Sequence, residues 1–250
     1  MKQHFHRKRL FVDFSLQSGH QAQANEFQHH YLAHVLRMKE GDKILLFNGK
    51  EGEWLSNISY KRDKHITFSV IQQKRTQTLP SDLHYIFAPI KTKRLDYMIQ
   101  KSVEMGVSIL FPVITRYTNN TIHNIDRVRT YTISSAEQCN ILTIPSIYSP
   151  VTLDSLLEDW DHSRRIVFAD ESCSYKRPFE ALQEIPHGSP LALLVGPEGG
   201  FHPEEQKKLR SLPFVIPLSL GPRILRSDTA AVAGLALIQS ICGDWYAPHQ

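Results

Sequence analysis

Two glycine-containing turns near the end of the chain hold the residue types best suited to chemistry. In the first, LLVGPEGGFHPEE, the apolar run Leu191–Val195 leads into Gly196, Gly199 and Gly200. Glycine permits a positive φ and lets a ligand approach the backbone closely. A turn after a parallel strand is also where open α/β sheets bind ligands. The segment therefore predicts either a ligand-binding turn or an ordinary connection from a strand to a helix.

The composition of this turn limits the ligand. Pro197 and Glu198 follow Gly196, so the G-x-G-x-x-G dinucleotide fingerprint is missing, as is the Gly-Lys-Ser/Thr of a phosphate-binding loop. A carboxylate beside the turn also disfavours phosphate. If a ligand binds here, we expect a neutral or cationic small molecule held by backbone groups.

A second turn follows in LSLGPRILRSDTAAVAGLALI, where a short strand, the tight turn Gly221-Pro222 and two arginines precede a helix. This helix begins near Ser227 and is apolar almost all round from Ala230 to Cys242. Such a pattern indicates burial, against the rest of the chain or against a second subunit.

The elements that must position these turns follow an α/β pattern. Helical patterns, such as Arg94–Met105 with its apolar face, alternate with short apolar runs, which is typical of a largely parallel sheet. The predicted strands are Leu83–Ala88, Ile109–Ile114, Arg165–Ala169, Leu191–Val195 and Phe214–Leu218.

The first part of the chain has a different pattern, in which short strands are separated by turn-forming residues and interrupted by one helix, Phe27–Met38. This pattern predicts a small β-barrel with strands at Arg9–Phe14, Lys43–Asn48, Glu53–Tyr60 and His65–Ile71. The segment QQKRTQTLPSD then loses apolar periodicity. We predict a barrel domain over residues 1–72, a linker over 73–81 and an α/β domain over 82–250.

Composition bounds the class of protein. With 250 residues, 41% of them hydrophobic and 22% charged, the chain is unlike a disordered protein or a disulfide scaffold. The net charge of +4 favours a polyanionic partner only weakly. Three widely spaced cysteines indicate a reducing compartment, and neither a signal peptide nor an apolar run of membrane-span length is present. We therefore predict a cytoplasmic protein that does not insert into membranes.

Several motifs resemble those of one family of RNA-modifying enzymes. GPEGGF and LSLGPRILRSDTA resemble the two cofactor-binding motifs of the RsmE family, which methylates N3 of a uridine in ribosomal RNA and belongs to the SPOUT superfamily. HHYLAHVLRMKEGD resembles the family's N-terminal RNA-binding segment, and KRLDYMIQKSVEMGV and SSAEQCNILTIP resemble further motifs. The matches extend from His29 to Trp245 in the family's order, which makes them far more specific than a single glycine loop.

The resemblance implies a fold and a cofactor. The implied fold class is α/β, with an N-terminal PUA-like β-barrel followed by a SPOUT α/β domain that has a C-terminal trefoil knot, and the implied assembly is a homodimer. The implied cofactor is S-adenosylmethionine. The cofactor loops of the family correspond here to Leu194, Gly196, Gly199, Gly200, Leu218, Leu220, Gly221, Ile224 and Leu225.

The resemblance also implies the substrate, a specific uridine in 16S ribosomal RNA of the small subunit. N3 of uridine carries a proton at neutral pH, so the enzyme must remove it or stabilise the resulting anion. We assign the stabilising role to Arg226 and consider Glu198 a weaker candidate for proton acceptor. The residues expected to contact RNA are Arg7, Arg9, His30, Arg37, Arg94 and Arg116.

Three positions depart from the family pattern. Ile141 stands where the family usually has an arginine, Tyr117 replaces a small residue, and Asp228 replaces a glutamate. Loss of the arginine removes an expected RNA contact. Two alternatives therefore stay open: a ribose 2′-O-methyltransferase of the same superfamily, and an RNA-binding protein without catalytic activity.

Two other groups of residues have simpler interpretations. His29, His30 and His34 lack the accompanying H-E-x-x-H or cysteine pair of a metal site, so we predict no metal. Cys139 is expected to be an ordinary helix residue, because methyl transfer to a ring nitrogen needs no covalent enzyme adduct.

Overall fold

The computed structural model describes residues 8–61, 65–122, 124–173 and 178–246, and the chain forms two compact units. The first unit extends to Leu79 and also contains Ala136–Ile144. The second comprises Pro80–Ser135 and the chain from Pro145 onward. No helix within the described ranges is both long and apolar enough to cross a membrane.

The first unit is built on a five-stranded sheet with the order β1-β3-β4-β5-β2. Only the β1–β3 pair in this sheet is parallel. Alternating apolar side chains from the strands fill one core, which includes Leu10, Ile44, Ile58 and Phe68. The strands are β1 (Arg9–Phe11), β2 (Gln21–Gln23), β3 (Lys43–Phe47), β4 (Glu53–Tyr60) and β5 (Ile66–Arg75).

The predicted helix of this unit is present in two parts. α1 (Glu26–His30) begins with a capping box in which the side chains of Asn25 and Gln28 each accept from the other residue's backbone N–H. A π-helical turn, Tyr31–Val35, follows directly. The chain leaves it at Arg37, whose φ of 52° is in the left-handed region.

The bounds of the first unit differ from the predicted domain of residues 1–72. β5 continues to Arg75 because its pairing with β4 extends that far. The segment Ala136–Ile144 belongs to this unit although it lies far along the chain, and Arg75 donates hydrogen bonds of 3.1 and 2.9 Å to the main-chain and side-chain oxygens of Asn140. No local pattern in the sequence signals that association.

The second unit contains a parallel sheet with the order β12-β10-β11-β6-β7-β8, and β9 also pairs with β7. All five predicted strands are present. β11 is buried along its whole length, as expected for a central parallel strand covered on both faces. The strands are β6 (Leu83–Phe87), β7 (Ile109–Ile114), β8 (Ser146–Ile147), β9 (Val151–Thr152), β10 (Arg165–Ala169), β11 (Leu191–Val195) and β12 (Val215–Leu218).

Helices cover both faces of this sheet and enclose two cores. On one face the last helix packs closely because Gly234 lies against Leu193: a Cβ at this glycine would stand 2.9 Å from the leucine side chain. The helices are α2 (Thr92–Glu104), α3 (Ile125–Gln138), α4 (Leu153–Glu158), α5 (Pro178–Leu182), α6 (Pro203–Ser211) and α7 (Ser227–Ile241), followed by a 3-10 turn at Asp244–Tyr246.

Candidate cofactor and substrate site

A cleft opens at the carboxyl ends of β10, β11 and β12, where three loops of the second unit meet. The cleft, together with its open mouth, encloses about 560 Å³ of empty space. The loops follow adjacent parallel strands, so their meeting is a consequence of the strand order. The lining residues are Phe168, Ala169, Asp170, Glu171, Val195, Gly196, Pro197, Gly200, Phe201, Gln206, Leu220, Arg223, Leu225, Ser227 and Ala230.

The first glycine turn forms one wall of the cleft. A Cβ at Gly196 would lie 2.5 Å from the ring of Phe201, so no larger side chain fits between strand end and ring. Gly200 has a φ of 71°, and a Cβ there would lie 2.5 Å from Oε1 of Glu171. The N–H of Gly200 closes the turn by donating to the carbonyl of Pro197 at 3.0 Å.

The opposite wall begins with two carboxylates at the end of β10. Asp170 is fully buried and accepts two hydrogen bonds from the guanidinium of Arg210, at 2.7 and 2.9 Å, and two more from Ser172. Its charge is therefore compensated, as a buried carboxylate requires. Glu171 is exposed and lines the cleft, as does Arg223.

Four of the predicted cofactor residues line this cleft: Gly196, Gly200, Leu220 and Leu225. Leu194 and Leu218 are instead buried in the sheet. Gly199, Gly221 and Ile224 are exposed on the two loops without lining the cleft. Their assignment as cofactor ligands stays a prediction.

Three residues that line the cleft were not among the predicted cofactor residues: Asp170 and Glu171 at the end of β10, and Arg223 in the second loop. The sequence does indicate the two acids, because Asp170 and Glu171 directly follow the predicted strand Arg165–Ala169. The carboxyl ends of parallel strands are ligand-binding positions. What the sequence could not show was that β10 lies between β11 and β12.

The two predicted catalytic residues lie next to residues that line the cleft. Arg226 is exposed, immediately precedes α7, and its side chain makes no capping hydrogen bond. Its neighbours Leu225 and Ser227 both line the cleft, so Arg226 lies next to the cleft in the chain without lining it. Glu198 is exposed on the first turn, between Pro197 and Gly200, and does not line the cleft.

Two family models match the chain. A model described as RNA methyltransferase domain matches residues 77–239, and one described as RNA methyltransferase PUA domain matches residues 28–71. A ribosomal RNA small subunit methyltransferase E from Buchnera aphidicola subsp. Schizaphis graminum is 31% identical over 246 residues, covering 94% of this chain and 97% of the relative. The chain belongs to this RNA methyltransferase family. The protein of the same name from Rickettsia conorii is 28% identical over 92% of this chain and 94% of its own.

Solved structures of methyltransferases have the same fold. A putative methyltransferase from Legionella pneumophila, in complex with S-adenosylmethionine, superposes with a TM-score of 0.83, at 28% identity over 95% of this chain and 99% of that one. The small subunit methyltransferase E of Neisseria gonorrhoeae gives 0.84, at 24% identity over 96% and 100%. The predicted fold class, a PUA-like unit before an α/β methyltransferase unit, is confirmed. The trefoil knot stays a prediction.

Arg9, which is predicted to contact RNA because it belongs to a basic run at the start of the chain, has other partners in the structure. The guanidinium of Arg9 is only 7% exposed and donates to Glu53 at 2.6 Å. It also donates to three main-chain carbonyls, those of Ala136, Glu137 and Ile141, at 2.6 to 3.1 Å. A buried guanidinium with these partners is not available to RNA phosphate, so Arg9 is a structural residue of the first unit.

The other predicted RNA contacts of the methyltransferase have varied surroundings. His30 and Arg37 are exposed, and the rings of His30 and His34 lie 5.0 Å apart. Arg94 is half-buried in α2. Arg7 lies outside the described residues. For all four, RNA binding stays a prediction.

Arg116 has partners within the second unit. Its guanidinium pairs with Glu204 and contacts Nδ1 of His202 at 3.1 Å, while its backbone N–H donates to Glu205 at 2.9 Å. The neighbouring Tyr117 stands edge-on to His202. The loop after β7 is thereby tied to the first turn of α6, which Pro203 and a capping box begin. The Arg116 side chain is still 53% exposed, so contact between this residue and RNA stays a prediction.

Proposed function

We propose that this protein uses S-adenosylmethionine to methylate N3 of a uridine in ribosomal RNA of the small subunit. The observation that carries the proposal is the cleft between the two glycine-containing loops, in a chain whose relatives are named for methylation of that RNA. A relative of the same fold, 28% identical, is described as a complex with this cofactor. Work on ribosomal RNA would place the enzyme in the cytoplasm.

The residues of the cleft fit S-adenosylmethionine chemically. Apolar walls from Phe168, Val195 and Ala230 suit an adenosine group. The carboxylate of Glu171 and the guanidinium of Arg223 have charges opposite to those of the cofactor's ammonium and carboxylate groups. When bound, the cofactor supplies an electrophilic methyl group, and the chain supplies orientation and exclusion of water.

Gly200 provides a test of this cofactor site. We expect Gly200→Ala to weaken binding of S-adenosylmethionine by roughly tenfold or more, about 1.4 kcal/mol, because the new Cβ meets the carboxylate of Glu171 and a positive φ is unfavourable for alanine. Gly188→Ala is the matched control, since Gly188 also has a positive φ, of 74°, but a Cβ there would meet no atom within 4 Å and the residue does not line the cleft. Calorimetric titration measures both. Equal affinity in the two variants would contradict this position for the cofactor.

On the substrate side, the chain must deal with the proton on N3. The imide anion carries its charge on the flanking carbonyl oxygens, and a guanidinium at the mouth of the cleft can donate to them. Arg226 is our candidate for this donor, because it is exposed and lies between two residues that line the cleft, Leu225 and Ser227. Glu198, exposed on the facing loop, is the candidate proton acceptor.

The direct test is transfer of a labelled methyl group. Purified protein with S-[methyl-³H]adenosylmethionine should label small-subunit particles from cells that lack this enzyme. Large-subunit particles and transfer RNA are the controls. Label on transfer RNA instead of the small-subunit particles would reject this substrate.

We also propose that the protein is a homodimer. On α7, Val232, Ala233, Ala236 and Leu237 form an outward stripe that the chain covers only partly, and no charged residue lies between Asp228 and Asp244. An apolar stripe of this kind is typical of a subunit interface.

Light scattering at micromolar concentration should therefore give twice the mass of the chain. Ala236→Glu should convert the protein to monomers, because it buries an unpaired charge in the interface. Ser211→Glu, at an exposed position of α6, should leave the dimer intact. A monomeric mass for the unmodified protein would disprove the interface.

A further inference from the structure

A second cavity lies in the α/β unit, away from the cofactor cleft. Its lining starts near the amino ends of β6 and β10, with His84 and Arg164, and continues over Phe111 of β7 and Trp160 after α4. The cavity holds about 940 Å³ of empty space including its mouth, and none of its lining residues lines the cofactor cleft. Nothing in the methyl transfer uses it.

Four aromatic rings, those of His84, Phe111, Tyr148 and Trp160, define the cavity, which we call the aromatic box. Phe111 stacks on Tyr148 with centroids 4.5 Å apart, and stands at 70° to Trp160 with centroids 5.9 Å apart. His84 stands edge-on to Trp160 at 6.5 Å. The indole N–H of Trp160 donates to the carbonyl of Arg164 at 2.9 Å, which fixes the ring. The box is therefore preformed.

The mouth of the aromatic box is acidic. Asp159 and Asp161 line it and are exposed, and hydrogen bonds from Ser163 lower the pKa of Asp161, so its carboxylate is ionised at neutral pH. Among the described residues, Arg164 is the only cation that lines the box. Its guanidinium pairs with the carboxylate of Asp82 at 2.6 Å and donates hydrogen bonds to two backbone carbonyls.

The histidine of the box carries no charge. Burial and the nearby Arg164 lower the pKa of His84 to about 4, so its imidazole is neutral. Its buried Nδ1 has no hydrogen-bond partner in the described structure. A neutral imidazole in the wall does not repel a bound cation.

We propose that the aromatic box binds the guanidinium group of an arginine side chain presented by a basic polypeptide. Aromatic faces and carboxylates together select a cation, since each attracts positive charge. A guanidinium is planar, stacks on rings and donates several hydrogen bonds to paired carboxylates, whereas an ammonium is compact and strongly hydrated. RNA is disfavoured, because the mouth would repel its phosphates.

The test uses three capped tripeptides that differ at one position: Gly-Arg-Gly, Gly-Lys-Gly and Gly-citrulline-Gly. Binding is followed by the NMR signal of the Trp160 indole N–H, assigned with Trp160→Phe. We expect saturable binding of the arginine peptide, at least several-fold tighter than the lysine peptide. Citrulline, which is similar in shape but uncharged, should not bind. Tighter binding of spermidine or uridine monophosphate than of the arginine peptide would overturn the proposal.

Variants locate the site. Asp159→Asn with Asp161→Asn should weaken arginine binding at least tenfold, and Tyr148→Ala should weaken it as well; all three side chains are exposed, so the fold should survive. Glu158→Gln is the matched control, because this exposed acid directly precedes Asp159 but does not line the box. Unchanged affinity for S-adenosylmethionine reports intact folding. No saturable shift of the Trp160 signal, or equal loss in Glu158→Gln, would contradict the proposal.

Discussion

Arg226→Ala should lower the single-turnover rate of methyl transfer by roughly 10²–10³, the usual cost of removing one preorganised donor that faces a developing anion. Affinity for S-adenosylmethionine should change little, because Arg226 does not line the cleft. A residue that only bound RNA phosphate would mainly raise KM. Single-turnover methylation of small-subunit particles at saturating RNA separates the two effects.

Arg223 is the matched control, since it belongs to the same loop but lines the cofactor cleft. Arg223→Ala should weaken cofactor binding and leave the rate at saturating cofactor close to normal. If N3 must ionise before attack, the rate of Arg226→Ala should also recover at higher pH, because nothing else in that variant offsets the cost of the anion. A normal single-turnover rate in Arg226→Ala would make Arg226 an RNA-positioning or structural residue.

Arg9→Ala should destabilise the N-terminal unit by about 3–5 kcal/mol, the typical cost of leaving one member of a buried ion pair without its partner. Glu53, whose side chain is 4% exposed, would keep a buried charge, and three carbonyls would lose their donor. Arg75, 3.9 Å from the same carboxylate, can compensate only in part. Urea denaturation followed by tryptophan fluorescence measures the loss.

Lys39→Ala is the comparison for Arg9, because Lys39 is an exposed cation of the same unit. The free energy of unfolding of the Lys39→Ala variant should stay within about 0.5 kcal/mol of that of the unmodified protein, as for most surface substitutions. If Arg9→Ala were as stable as Lys39→Ala and lost only RNA affinity, the assignment of Arg9 to RNA would be restored.

Arg9 shows what residue type and neighbourhood cannot decide. The run His6 to Arg9 is basic and predicts a surface for phosphates. Burial of Arg9 depends on Glu53 and on carbonyls of Ala136–Ile144, which are remote in the sequence. Long-range partners of this kind leave no trace in local spacing, and the same reason hides the association of Ala136–Ile144 with the N-terminal unit.

Regular elements were more accessible to sequence reasoning. The parallel strands of the second unit are short apolar runs whose burial on both faces makes them recognisable. β2 was missed because Gln21–Gln23 is a three-residue edge strand with one half-buried side chain. The two glycine loops were found from their residues, while the acids that complete the cleft became visible only through the strand order.

The most direct test of the proposed function is the identity of the methylated nucleoside. Small-subunit particles from cells lacking the enzyme are incubated with the protein and S-adenosylmethionine, and the 16S RNA is digested to nucleosides for mass spectrometry. The proposal predicts 3-methyluridine, formed with the unmodified protein and strongly reduced with Arg226→Ala. A ribose-methylated nucleoside in its place, or no methylated nucleoside from particles that bind the protein, would contradict it.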